Sequence, residues 1–424
     1  MNKPQRFHNS ISAGRMRYDK ILTTVVLLLF LLRFFSLKPF TNGLYNYFIF
    51  FLTLLVGFDR IKSNVPYAKL ILCYLLSVLV SCLYSAFFND QVLYTCVIYS
   101  FDYFSIFFFF ILVRLKLTAE ESLKVLEYIC ICFCLCYILQ WLIYPTVLFS
   151  SAEDTWNIKD SIFRMRMPGS ICCYLLCLFS INQYMLKRSP KYILYFLISF
   201  LPIIIQGFRS LVTLAVLSIF LMIPFVMRKS LKSIVSFVLI SLLMFIVFST
   251  SNIFQKKYDE MLQRQNNEEV FSNEDYIRYF SLDYYWNYQF NKPYEKIIGG
   301  GVPVDKNSHY YKQIIDAENY SNYFWVDLGI VGLSMVIGIP AVLLLVIMYL
   351  LCMWRCMEPQ LQFVRFTLFT VLCGSIFTSM ELFRSGNILL LSLLLYIEYV
   401  YHKDKMSFEH FNRSNYITKS SLKI

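Results

Sequence analysis

Cysteine is missing from the one long polar stretch of this chain, residues 254–322; all 13 cysteines lie within apolar runs or at their ends. Cys130, Cys132, Cys134 and Cys136 alternate along one run, a spacing that scatters side chains around a helix instead of gathering them at one point. Neither a disulfide framework nor a metal site follows from that pattern, and no metal or other cofactor is expected. No P-loop lysine-serine pattern follows Gly299, Gly300 and Gly301, so a tight turn is expected there, not a phosphate cradle. No small-residue cleavage site follows the first apolar run, so that run is expected to stay as an anchor.

Apolar residues are what the chain has in excess. They make up 58% of it, aromatics make up 18%, and the mean hydropathy is +0.56; an average soluble domain is roughly 45–50% apolar. Apolar runs of about 20 residues, each long enough to cross a hydrocarbon core, recur from Lys20 to His402. The expected fold class is an all-α polytopic membrane protein of about 12 transmembrane helices, with one large external loop before the last three. Spans are expected near 21–37, 44–58, 68–88, 92–113, 124–149, 168–186, 191–207, 210–227, 233–253, 323–352, 362–382 and 386–401.

The formal charge of +12 could suggest nucleic acid, but its placement says otherwise. Basic residues crowd the N-terminal segment, alternate connections (Arg60/Lys62/Lys69, Arg114/Lys116/Lys124, Lys187/Arg188/Lys191, Arg228/Lys229/Lys232, Arg355/Arg365) and the tail. By the positive-inside rule both termini are expected in the cytoplasm and residues 150–167 and 254–322 outside, periplasmic in a Gram-negative cell. The organisation is then a cytoplasmic segment 1–20, a bundle 21–253, the external loop 254–322, three helices within 323–402 and a cytoplasmic tail 403–424. The loop carries Tyr276, Tyr279, Tyr284, Tyr285, Trp286 and Tyr288, too many aromatics for a disordered tether, and is expected to fold into short helices capping the bundle. Such rings suit the C–H faces of sugars; an interfacial aromatic belt is the alternative.

Several arginines run against the charge bias: Arg164 and Arg166 in FRMRMPG, Arg209 in QGFRS, and Arg384 in ELFRSGN. Headgroup anchoring explains any one of them, while three external connections aimed at one vestibule suit a phosphate or diphosphate, which the guanidinium fork matches. Arg33, within the first span, reads as snorkelling.

The stretch QGFRSLVTLAVLSIFL, Gln206 to Leu221, resembles the segment of the O-antigen polymerase and ligase superfamily in which an arginine-serine pair opens a transmembrane helix. Arg278 in YIRYFSLDYYW, then KPYEKIIGGGVP, resembles that family's loop arginine, proline and glycine-rich turn. ENYSNYFWVDLGIVGL is similar to its His-Asn, aromatic, acidic and Gly-Ile-x-Gly-Leu pattern, and Arg164, Arg166 and Gly169 resemble its arginine-glycine stretch. These matches cover roughly 160–335; the first 150 residues match only as spans. Glu318 stands where the ligases carry histidine, followed by the matching Asn319, which favours a polymerase over a ligase.

The resemblance implies a Wzy-type polymerase of O-antigen or capsular polysaccharide: a metal-independent membrane glycosyltransferase in the bacterial cytoplasmic membrane. Its substrate would be a polyprenyl-diphosphate-linked oligosaccharide, with membrane lipid and a chain-length regulator as candidate partners and no nucleic acid. Such chemistry needs a base for the acceptor hydroxyl and cations for the leaving group. Glu318 is the candidate base, with His309 its competitor, and Arg209 and Arg278 are candidates for the diphosphate. Arg164, Arg166, His309, Asn319 and Arg384 are candidate substrate contacts, and Asp327 is structural or catalytic. A ligase and a non-enzymatic flippase are the alternatives. The topology is checked by cysteines introduced at Asn266 and Asn307, which should react with an impermeant thiol reagent in intact spheroplasts while one at Ser230 does not. Reversed labelling would remove the loop from an external substrate.

Overall fold

The computed structural model describes residues 17–32, 51–52, 54–61, 65–143, 146, 148–149, 156–157, 164–165, 167, 169–206, 209–226, 274–290, 292–377 and 386–421. Its regular structure is helical apart from an antiparallel pair of two-residue strands, β1 (Trp156–Asn157) and β2 (Arg164–Met165). The apolar runs become α1 (Tyr18–Leu31), α2 (Ala68–Phe88), α3 (Leu93–Tyr99), α4 (Phe101–Leu115), α5 (Ala119–Leu142), α6 (Ile171–Lys187), α7 (Lys191–Ile205) and α8 (Arg209–Val226). The polar loop contributes α9 (Glu274–Asp283), a π turn at Tyr284–Gln289, α10 (Pro293–Ile298) and α11 (His309–Ser321). Then follow α12 (Gly329–Ile337), α13 (Ile339–Arg355), α14 (Gln362–Phe377) and α15 (Asn387–Ser421). The expected span at 233–253 and most of that at 44–58 lie outside the described residues.

Among the described residues α2 and α5 are long and apolar enough to cross a membrane, and α3 with α4, bent by 60°, would make a third span. α6, α7, α13 and the segments Val212–Val226 and Trp325–Ile337 are shorter apolar helices. Two helices form the middle of the bundle. α6 is buried on every side from Ile171 to Gln183, and α15 from Asn387 to Glu398, as expected of helices that are apolar all round. Phe179 of α6 meets Phe363 of α14 edge-on at 5.1 Å, and Tyr396 of α15 meets Phe109 of α4 at 6.4 Å. Around them, Leu22, Leu76, Leu142, Phe220 and Leu343 are exposed, an apolar exterior of the kind water-soluble chains avoid.

Basic connections meet at one end of the bundle, where carboxylates tie helix ends together. Glu398 is fully buried and accepts from Arg355 Nε at 2.6 Å and Tyr67 Oη at 2.7 Å, with His402 Nε2 3.4 Å away. Glu127 lies 3.2 Å from Lys124 Nζ and 3.3 Å from Lys191 Nζ, and Lys405 donates to Glu358 at 2.6 Å. Thr118 and Glu121 close a reciprocal capping box on α5, satisfying two of the orphan N–H groups at its start.

At the opposite end the long loop is sewn into the bundle, and here one sequence expectation is corrected. The apolar stretch 323–352 reads as a single span, but a 3-10 turn at Trp325–Leu328 precedes α12, and a break at Gly338 separates α12 from α13. Pro340, in the first turn of α13, has no N–H to return to the Val336 carbonyl, so the α12 ladder cannot run on. Gly338 turns the chain at φ +86°, ψ 153°, a region closed to residues with a Cβ. The freed carbonyls are taken by the loop: Gly300 N donates to Met335 O at 2.7 Å and Gly301 N to Val336 O at 2.9 Å, which also accepts from Ser81 Oγ at 2.7 Å. Gly299 mirrors Gly338, with φ +86° and ψ 151°. A Cβ on Gly299 would strike Gly338 N and Val336 O, and one on Gly338 would strike Ile298 O.

The same loop segment is pinned to the end of α2. Gln91 Oε1 accepts from Val304 N at 2.9 Å and Asp305 N at 3.2 Å, Gln91 Nε2 donates to Val302 O at 3.1 Å, and Asn89 Nδ2 donates to Gly300 O at 2.9 Å. Gly299→Ala should therefore destabilise the protein by on the order of 2–4 kcal/mol, adding backbone strain to a clash with backbone that has no room to move. Tyr320→Ala, at a side chain 85% exposed, should stay within about 0.5 kcal/mol of the parent. Thermal unfolding in detergent compares the two, and equal stabilities would remove the clasp from the account.

Candidate functional site

The loop helices have a small core of their own. Tyr285, Phe290, Tyr310 and Ile314 bury themselves with Met335 of α12, and Tyr284, Trp286, Tyr323, Trp325 and Leu328 pack around them. Tyr285 Oη donates to Tyr323 O at 2.8 Å, so the π turn is held to the chain just past α11. Ser308 caps α11, its Oγ accepting from Tyr311 N at 3.0 Å. α9 packs against the 3-10 turn Trp325–Leu328, which carries Asp327.

Glu318 sits in the last turns of α11, half-buried. Burial pushes its carboxyl above the ordinary value of 4.5, and the neighbouring Asp327 carboxylate pushes the same way. Its charge, with burial the larger cause, also raises the Tyr285 phenol. Asn319 is exposed. His309, the first residue of α11, is exposed and its Nε2 lies 2.8 Å from Gln313 Nε2; Gln313 Oε1 in turn accepts from Gln289 at 3.0 Å. Nine residues separate His309 from Glu318, about 13.5 Å of rise and two and a half turns, which places them on opposite faces of the helix. The two candidate bases cannot serve one reacting atom.

Of the candidate arginines, Arg278 is exposed on α9, the helix that packs on the Asp327 turn. Arg209 opens α8 and Arg164 lies in β2, paired with Asn157; their side chains lie outside the described residues, as do Arg166 and Arg384. The backbone near two of these sites converges. A Cβ on Gly386 would sit 3.3 Å from Gly169 Cα and 2.5 Å from Leu32 Cδ2, so the chain two residues past Arg384 runs against the chain three residues past Arg166.

The glycines of the Gly-Ile-Val-Gly stretch serve close approach. A Cβ on Gly329, at φ +61°, would strike the Ile376 carbonyl at the end of α14, and one on Gly332 would strike Trp325 O. Both backbone N–H groups after Gly299 are spent on α12, which agrees with a turn and leaves nothing to cradle a phosphate. Among the described residues no group of three or more His, Cys, Asp or Glu side chains is placed to hold a metal ion. Sequence reasoning missed Asn89 and Gln91, which bind the loop through its backbone and so depend on no motif. Gln206, just before α8, is buried with neither end of its amide hydrogen-bonded among the described residues. No family model, no curated protein and no solved structure matches the chain.

Because the folded protein holds the Glu318 proton more tightly than the unfolded chain, its contribution to stability is complete below the unfolded value and is lost as pH rises through the folded one. A carbon-13 titration of glutamate-labelled protein, assigned by Glu318→Gln, should place its midpoint above 4.5. Asp327→Asn should lower that midpoint without restoring 4.5, since burial remains. A midpoint at or below 4.5 in the parent protein would refute the environment described for Glu318.

Proposed function

We propose that this chain spans the bacterial cytoplasmic membrane about 12 times and polymerises lipid-linked oligosaccharide repeat units at its external face. The repeat units become O-antigen or capsular polysaccharide. An acceptor hydroxyl oxygen attacks the anomeric carbon of a polyprenyl-diphosphate-linked donor. As the new C–O bond forms, the bond from that carbon to the diphosphate oxygen breaks, the hydroxyl proton passes to Glu318, and the polyprenyl diphosphate leaves with the bonding pair. Arg209 and Arg278 hold the leaving charge, which guanidinium forks match bidentately. Arg164, Arg166 and Arg384 complete the anionic subsite, with Asn319 beside the base.

The observation that carries this reading is the environment of Glu318. A solvated carboxylate at the ordinary value of 4.5 is a feeble base, whereas burial and a second carboxylate raise the proton affinity of this one. It lies where the polymerase and ligase superfamily, by resemblance, places its acid-base residue. Packing of the Arg278 helix on the Asp327 turn brings a cationic element to the same part of the loop. Glutamate in place of the ligases' histidine supports polymerisation over ligation.

Glu318→Gln keeps size and removes the basic lone pair, and should slow polymerisation by about 10²-fold or more, with single repeat units accumulating on the carrier. His309→Gln should be mild. Arg209→Lys and Arg278→Lys keep charge but lose the fork, and should impair chain growth at unchanged protein level. Deletion in the native host should leave surface lipid or capsule bearing one repeat unit; a ligase mutant would attach none, and a flippase mutant would fail to export units. Full activity of Glu318→Gln with loss in His309→Gln would transfer the role to His309, and full activity of both arginine-to-alanine variants would make those arginines headgroup anchors.

A further inference from the structure

A cleft of about 370 Å³ opens where the loop meets α12, lined by Tyr279, Leu282, Asp283, Trp286, Asn287 and Val331. Tyr279, Asp283, Trp286 and Asn287 recur at the spacing of one helical face, so a single stripe running from α9 into the π turn supplies nearly the whole wall. π turns are rare and recur at functional sites. The volume falls within the roughly 300–1,000 Å³ of small-ligand sites.

The wall has two chemistries. Tyr279 is 67% exposed, a large ring left open to the outside, and Trp286 carries the Lys296 ammonium 4.8 Å from its ring centre. In the same wall Asn287 Nδ2 donates to Asp283 Oδ1 at 2.6 Å. The second oxygen of Asp283 and the carbonyl and remaining N–H of Asn287 have no other hydrogen bond among the described residues. A lipid tail in the cleft would cover that acid-amide pair without a partner, at about 1–3 kcal/mol for each stranded group. A phosphate would face the Asp283 carboxylate. A neutral pyranose answers every group present, since its hydroxyls both donate and accept and its axial C–H face lies flat on an aromatic ring.

We propose that this cleft is a sugar subsite that holds one neutral pyranose of the glycan, apart from the reacting centre at Glu318. The assignment rests on the reading of the loop as external and glycan-handling. Trp286 also packs against the small core around Tyr285, so the cleft lies beside the core of the loop helices.

The test is saturation-transfer difference NMR on the full chain in nanodiscs, with the methyl α-glycosides of glucose, galactose, mannose and N-acetylglucosamine as probes. At least one glycoside should receive saturation strongest at its ring C–H protons. Tyr279→Ala, which removes an exposed ring, and Asp283→Asn, which keeps size and removes the charged acceptor, should each reduce it fivefold or more. Glu318→Gln should bind as the parent does, so loss of polymerisation in that variant with intact sugar binding separates the subsite from the chemistry. Retained polymerisation in Glu318→Gln would sink the proposed base while leaving the subsite supported. No transfer to any of the four glycosides, transfer that persists in both cleft variants, or displacement of the glycoside by decanoate at equal concentration would overturn the proposal, the last by assigning the cleft to an apolar chain.

Discussion

Two carbonyls left free where the α12 ladder breaks at Gly338 and Pro340, and two glycine N–H groups that reach them, hold the long loop to the bundle. An apolar helix cannot break within a bundle unless the groups it frees find partners, because each bare carbonyl costs about 1–3 kcal/mol. Here the partners come from a loop whose glycine run lies some 35 residues earlier in the chain: Gly300 and Gly301 close on Met335 and Val336. Everything the loop positions follows from that clasp. Gln91 and Asn89 tie its far side to α2, and the small core around Tyr285 and Tyr310 uses Met335 of the same helix as its floor.

The fold was legible where one physical rule dominated. The stretch 68–88 is long, apolar and bounded by polar residues, and it forms α2 as Ala68–Phe88. The stretch 92–113 holds the same apolar content, but periodicity carries no signal for the 60° bend between α3 and α4. In 323–352 the signal was present as Gly338 followed by Pro340; hydropathy averaged over the window masked it, because a break satisfied by another segment is invisible to a one-dimensional scale. The two tight ion clusters at the other end, around Glu398 and Glu127, lie inside or beside apolar runs where their partners come from distant helices.

The candidate site was legible in part. The resemblance picked out Glu318, and the structure supplies the sign of its shift: burial and the Asp327 carboxylate both raise its affinity for the proton. His309 stood nine residues away, and only the helix shows that this distance turns it to the opposite face. Asp283 and Asn287 stand at the i and i+4 spacing that marks one helical face, a signal already in SLDYYWN but hidden among aromatic neighbours that drew the reading toward rings alone.

The two glycines that face each other in the clasp, Gly299 and Gly338, have no side chains to exchange. A packed pair of ordinary residues can drift together, a larger one at one position offset by a smaller one at the other. This pair has no smaller residue to offer, and a Cβ on either meets backbone. The contact is therefore silent to any method that infers proximity from correlated substitution, and a lineage can only keep both glycines or rebuild the junction between loop and helix.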